Sequence, residues 1–202
     1  METATIVPET KSPLSDEHRR ELDLATQRSA KVRRAAGVAS FNGWATAIFA
    51  ALSAPFAVFS LSGLFVTGGL AIVAYHEFQG RKRLLQFDPS ATRLLGWNQL
   101  GLLGVIIIYS VWSMYVGLGE ESLFSKEIND NPELREVLNA DELEQLVQMV
   151  IVVLYTSVIA LSVVFQGGNA WYYFSRRKYV EAYLSETPAW AVDVQQRTAR
   201  QP

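Results

Sequence analysis

The sequence predicts an all-α integral membrane protein: a four-helix bundle built of two transmembrane hairpins, with juxtamembrane helices on the cytoplasmic side. Three observations carry that prediction. Residues Ala35 to His76, Leu94 to Gly119 and Gln145 to Ser175 contain no Lys, Arg, Asp or Glu. A formal charge at the centre of a membrane helix costs about 2.5 to 3.5 kcal/mol on insertion scales, so charge-free apolar runs of this length point to lipid. Basic residues crowd one set of the ends of these runs, and acidic residues the other.

The totals alone would mislead. A chain of 202 residues with 50% hydrophobic content and a net charge of -2 resembles an ordinary soluble domain until the segregation of its charges is noticed. The absence of cysteine excludes disulfides, thiolate zinc sites, Cys nucleophiles and thiolate-ligated iron-sulfur clusters. Polar and charged residues precede the first apolar run, which is far longer than the h-region of a signal peptide, so that run is expected to remain in the mature protein.

The 42 uncharged residues from Ala35 to His76 would make about 63 Å of helix, twice a hydrocarbon core of about 30 Å. They therefore predict two spans, about 37–59 and 64–78, reversing at Ser60-Leu61-Ser62-Gly63, with Pro55 in the last turns of the first. A third span, about 94–116, follows an N-cap at Asp88 and a first-turn Pro89. The fourth, about 146–170, follows a capping box formed by Asn139 and Glu142. Within the last run, Gly167-Gly168-Asn169 predicts a bend, a close crossing or a junction with an interfacial helix.

Four spans fix an orientation. Sixteen Lys and Arg residues fall on one side and only Lys126 and Arg135 on the other, so the positive-inside rule places both termini in the cytoplasm of a cell whose inner membrane holds the protein. The outer segment, 119–144, carries nine acids and is expected to include a short helix at 131–138. Trp44, Tyr75, Trp97, Trp171, Tyr172 and Tyr173 read as anchors at the inner interface, and Trp112 and Tyr115 at the outer one.

Outside the membrane domain, 35–183, the chain divides simply. Residues 1–14 are expected to be flexible; 15–34 form a cytoplasmic helix capped by Ser15; and 184–202 contain a last helix from Pro188 to about Arg197, capped by Thr187, with Trp190, Ala191 and Val194 on one face.

Small residues mark where helices can meet. Ala35, Ala39, Gly43, Ala47 and Ala51 recur every four residues along the first span, a spacing that lines one face of a helix and lets another backbone approach closely. Gly68 and Gly69 in the second span, with Gly101 and Gly104 in the third, are the candidate partners of that stripe. Ala39, Gly43, Ala47, Ala51, Gly101 and Gly104 are accordingly the expected helix-packing residues.

No motif demands chemistry. His76-Glu77 opens like a zincin motif, but Gly80 stands where the second histidine would fall, and Glu77 reads instead as an i,i+4 partner of Arg81. Ser175-Arg176-Arg177-Lys178 spells S-x-x-K at a basic interface without the companion motifs. No catalytic, cofactor or metal residue is assigned. The expected function is a non-catalytic scaffold or accessory subunit that associates through its small-residue helix faces; the alternative is an oligomeric transporter or channel for a small solute. Expected partners are a bilayer with anionic headgroups and a second copy or another membrane protein, not nucleic acid, because topology already accounts for the basic clusters.

Overall fold

The computed structural model describes residues 14–119 and 140–200, and in these the chain forms five helices: α1 (Asp16–Phe59), α2 (Leu61–Leu85), α3 (Ser90–Gly119), α4 (Ala140–Glu186) and α5 (Ala189–Arg200). Four of them, α1 to α4, are long and apolar enough to cross a membrane. The expected helix at 131–138 and the Asn139 cap lie outside the described residues.

Ser15 starts α1, its hydroxyl accepting the His18 N–H, with Asp16 and Glu17 in the first turn where the helix dipole favours acids. The helix expected at 15–34 and the first span are a single element of 44 residues, about 66 Å long. No proline interrupts it before Pro55, and even Pro55 leaves it intact to Phe59. Only Ser60 then separates α1 from α2. It ends one helix and caps the next: its N–H reaches the Phe56 carbonyl at 3.1 Å and its Oγ accepts the Gly63 N–H at 2.9 Å. A side chain at Gly63 would overlap the Phe56 carbonyl oxygen, so this reversal needs glycine there.

The turn from α2 to α3 is also built by side chains. Asp88 accepts the Ser90 N–H on Oδ1 and the Ser90 hydroxyl on Oδ2, each at 2.8 Å, which is the capping role expected of it. Phe87 has φ 55°, the left-handed region that usually selects glycine or asparagine. It keeps that conformation because its ring, 2% exposed, packs 4.2 Å from the ring of Tyr183. Burying such a ring contributes about 1.5 to 3 kcal/mol, enough to offset a backbone cost of about 1 to 3 kcal/mol.

Packing is uneven along the bundle. α1 packs most extensively on α2, and α3 on α4, with a smaller α2–α3 contact. The densest core gathers where α1 begins, α2 ends, α3 begins and α4 ends, and it includes Val32, Ala35, Leu84, Leu95, Val180 and Tyr183. The basic clusters flank this end of the molecule. Toward the other end the helices bury little of one another: the most apolar stretch of α4 has none of its residues buried.

Two local expectations are corrected. α4 runs as one helix through Gly167 and Gly168 for 47 residues, and a Cβ added at either glycine would touch nothing, so no close crossing occurs there. Burial of Ala170 and Tyr173 one turn later holds the helix in register across the glycines. The second correction concerns α5. Its buried face is Ala191 and Gln195, while Trp190 and Val194 are 38% and 42% exposed. Gln195 accepts the Tyr183 hydroxyl at 3.1 Å and donates to Thr26 Oγ1 at 3.1 Å, and Gln196 donates to the Gln86 carbonyl at 2.8 Å. Hydrogen bonds, together with burial of Ala191 in the core, seat this helix against α1 and the α2–α3 turn. Thr187 precedes α5 as expected, but its buried hydroxyl has no partner.

Candidate functional site

Glu77 is the first charge after the long uncharged run, and it is fully buried. Along α2 the buried positions are Val73, Ala74, Glu77, Gly80 and Leu84, one face of a helix, while Arg81 points away and is exposed. The expected Glu77–Arg81 pair is therefore not formed. Neutral groups from two other helices take its place. Asn98 Nδ2 donates to Glu77 Oε1 at 2.9 Å and to the Val73 carbonyl at 3.0 Å; Gln99 Nε2 donates to the same Oε1 at 2.7 Å; and the Tyr173 hydroxyl donates to Oε2 at 3.2 Å. Asn42 completes the knot from α1, its Nδ2 donating to the Tyr173 oxygen at 3.1 Å.

All four long helices thus join one network centred on a carboxyl group, α1 through Tyr173. Three donors and no acceptor face it, an arrangement that complements a carboxylate, whose oxygens only accept. Hydrogen bonds to a charged group are worth about 1.5 to 3 kcal/mol each, and removing a carboxylate from water costs several kcal/mol, so the two nearly offset. What the knot contributes is a fixed register of four helices rather than a large net stability.

Close backbone approach makes the knot possible. A Cβ at Gly43 would lie 3.1 Å from Phe78 Cε1 and 3.2 Å from Glu77 Cβ, so glycine lets α1 settle over the buried acid. A Cβ at Gly80 would overlap the side chain of Leu95, and one at Gly96 would meet the ring of Phe174 at 2.5 Å. Each adjoining pair, α1–α2, α2–α3 and α3–α4, has one such glycine at this level.

The expected packing residues divide around this centre. Ala39 and Gly43 are buried, Ala47 is half-buried and Ala51 is exposed, so the stripe is covered only near the basic end. Gly101 and Gly104 do not meet it: a Cβ at either would touch nothing. Gly101 instead lines an apolar groove of about 650 Å³ between α2 and α3, which His76 and Trp97 also border. Tyr173, expected as an interfacial anchor, is fully buried, whereas Trp44, Tyr75, Trp97 and Trp171 are well exposed.

A second cavity, about 700 Å³, opens among α1, α2, α3 and α4 beside the knot. Its polar wall includes Asn42, Thr46, Gln99, Gln166 and Asn169, opposite apolar side chains such as Phe49 and Leu102. Gln99 is 2% exposed; its Nε2 donates to Glu77 and its Oε1 has no hydrogen-bond partner among the described residues. No family model, curated protein or solved structure matches this chain. The site must be read from its own chemistry. Neither His18 nor His76 lines this cavity, and no group of three His, Asp or Glu able to hold a metal occurs among the described residues.

Sequence reasoning missed the knot because each member has a local explanation. One signal was available: Asn42, Glu77, Asn98 and Tyr173 each stand a turn or two inside the basic flank of their own run, at Arg34, Arg81, Arg93 and Arg176. Antiparallel neighbours whose polar residues lie three to eight residues from that flank can bring those side chains near one level.

Proposed function

We propose that the chain is a multi-pass protein of the cell inner membrane, arranged as two transmembrane hairpins with both termini cytoplasmic, and that it acts as a non-catalytic scaffold or accessory subunit. The observation that carries this reading is the contrast between the two ends. Helices are locked together at the basic end by the core and the Glu77 knot, while the most apolar part of α4 has no residue buried within the chain. An apolar surface of that extent belongs in lipid or against partner helices.

Two measurements test the proposal. In the cysteine-free background, single cysteines at the exposed positions Gln27 and Ser185 are expected to resist an impermeant thiol reagent in intact cells, and a cysteine at Ser122 is expected to react. Labelling of either of the first two would overturn the orientation. For the scaffold role, the intact assembly extracted gently into nanodiscs is expected to exceed the 22.5 kDa of a single chain by at least one protein subunit. A solitary chain carrying lipid alone sinks that role.

The polar-lined cavity favours a transport reading as the second choice. That reading requires solute-dependent flux in liposomes, reduced by a bulky substitution at Ala45 on the cavity wall.

A further inference from the structure

Where α1 and α4 run side by side at the basic end, three cations surround tyrosine rings. Lys31 Nζ of α1 lies 4.3 Å from the centroid of Tyr179 on α4, and Lys178 Nζ lies 5.2 Å from the same centroid. The Arg176 guanidinium lies 4.1 Å from the Tyr172 ring and 5.3 Å from that of Tyr179. Ring faces attract these cations and hold them in place. They do not neutralise them.

The ion pairs of the two helices leave this cluster out. Glu181 pairs with Arg177 at 2.7 Å, and Glu186 pairs with Arg28 at 3.8 Å. None of Lys31, Arg176 and Lys178 joins an ion pair among the described residues, and Arg176 Nε is buried without a hydrogen-bond partner. Three like charges converging on one ring repel one another, and an anion in their midst would relieve that repulsion. Arg supplies planar paired donors suited to phosphate, and Lys a mobile point charge.

Position along the helix indicates where such an anion comes from. The uncharged run of α4 ends at Ser175, one residue before Arg176. On the apolar side of that boundary stands Trp171, 75% exposed, while Phe174 turns to α3, its ring 6.3 Å from that of Trp97. A ligand with a phosphate at Arg176 and a hydrocarbon chain reaching past that boundary into the uncharged segment would match both halves of the site.

We propose that Lys31, Arg176 and Lys178, ordered by Tyr172 and Tyr179, form a specific binding site for the phosphodiester headgroup of an anionic glycerophospholipid at the α1–α4 seam. This inference rests on the membrane reading above. Basic residues at a membrane surface contribute about 1 kcal/mol each toward anionic lipid, which corresponds to about five-fold in affinity per cation.

The test compares two double variants that each remove two exposed charges, Lys31→Gln/Lys178→Gln in the cluster and Arg81→Gln/Lys82→Gln elsewhere at the same end. Each is placed in nanodiscs of phosphatidylcholine containing a minor fraction of phosphatidylglycerol, and retained phosphatidylglycerol is counted by native mass spectrometry. Retention is expected to fall about five-fold per cation in the first variant and by clearly less in the second. Equal losses in both variants, or none in the first, would overturn the site. Displacement of the lipid by inorganic phosphate would overturn its assignment to a lipid. Failure of the wild-type chain to enter nanodiscs at all would count against the membrane reading itself, a result separate from loss of headgroup selectivity.

Discussion

Glu77→Leu is expected to lower the thermal midpoint of the purified protein by about 6 to 20 °C. Leucine fills most of the space but accepts no hydrogen bonds, so it leaves Asn98 Nδ2, Gln99 Nε2 and the Tyr173 hydroxyl facing an apolar group. Stranding buried donors costs about 1 to 3 kcal/mol apiece, and breaking a buried charged network by removing one member costs about 3 to 5 kcal/mol. At about 2 to 4 °C per kcal/mol for a chain of this size, that loss gives the stated range. Glu77→Gln separates shape from charge. Its amide oxygen can still accept from Asn98 and Gln99, so less than half the loss is expected. Differential scanning fluorimetry in detergent measures both, and a Glu77→Leu midpoint equal to that of wild type would show that the knot does not hold the helices.

Tyr183→Ala is the second large effect, and it acts on a different part of the molecule. The side chain is 1% exposed, its ring supports that of Phe87, and its hydroxyl reaches Gln195. Truncating a buried aromatic to alanine costs about 3 to 5 kcal/mol. It also removes the packing that compensates the left-handed backbone at Phe87 and one of the bonds that seat α5. The expected result is a lower midpoint together with faster tryptic cleavage at Arg197, which lies on α5. Tyr183→Phe keeps the ring and loses only the hydroxyl, so about 1 kcal/mol is expected. Unchanged proteolysis of Tyr183→Ala would show that the seat of α5 does not depend on Tyr183.

Much of this architecture is legible in the sequence, and the legible parts share a cause. Helix ends are set by local rules: Ser15 and Asp88 cap where a short polar side chain precedes a helix, and Ser60 with Gly63 reverses the chain where apolar periodicity would otherwise run on. The long apolar helices follow from composition in the same way. Residues that depend on which face turns inward were not legible. Gly101 and Gly104 look as suitable for packing as Gly80 and Gly96, yet only the latter two lie at contacts, because rotation about each helix axis is decided by neighbours absent from the local sequence. Glu77 illustrates the same point with charge. The i,i+4 rule favours Arg81, but such a pair is worth about 0.2 to 0.5 kcal/mol, far less than three buried hydrogen bonds from α3 and α4. Gln195 escaped for a related reason: hydropathy ranks it as a surface residue, and only its partners Tyr183 and Thr26 make it a core one.

The unbroken course of α1 and α4 has a mechanical consequence. Each runs from the tightly packed basic end into the sparsely packed apolar part as one continuous α-helix, with Pro55 near the far end of α1 the one proline inside it. A load applied at the basic end, such as the grip of α5, would be carried along each shaft as tilt. The loosely packed ends would then move farthest, in proportion to their distance from the Glu77 knot, which is the fulcrum.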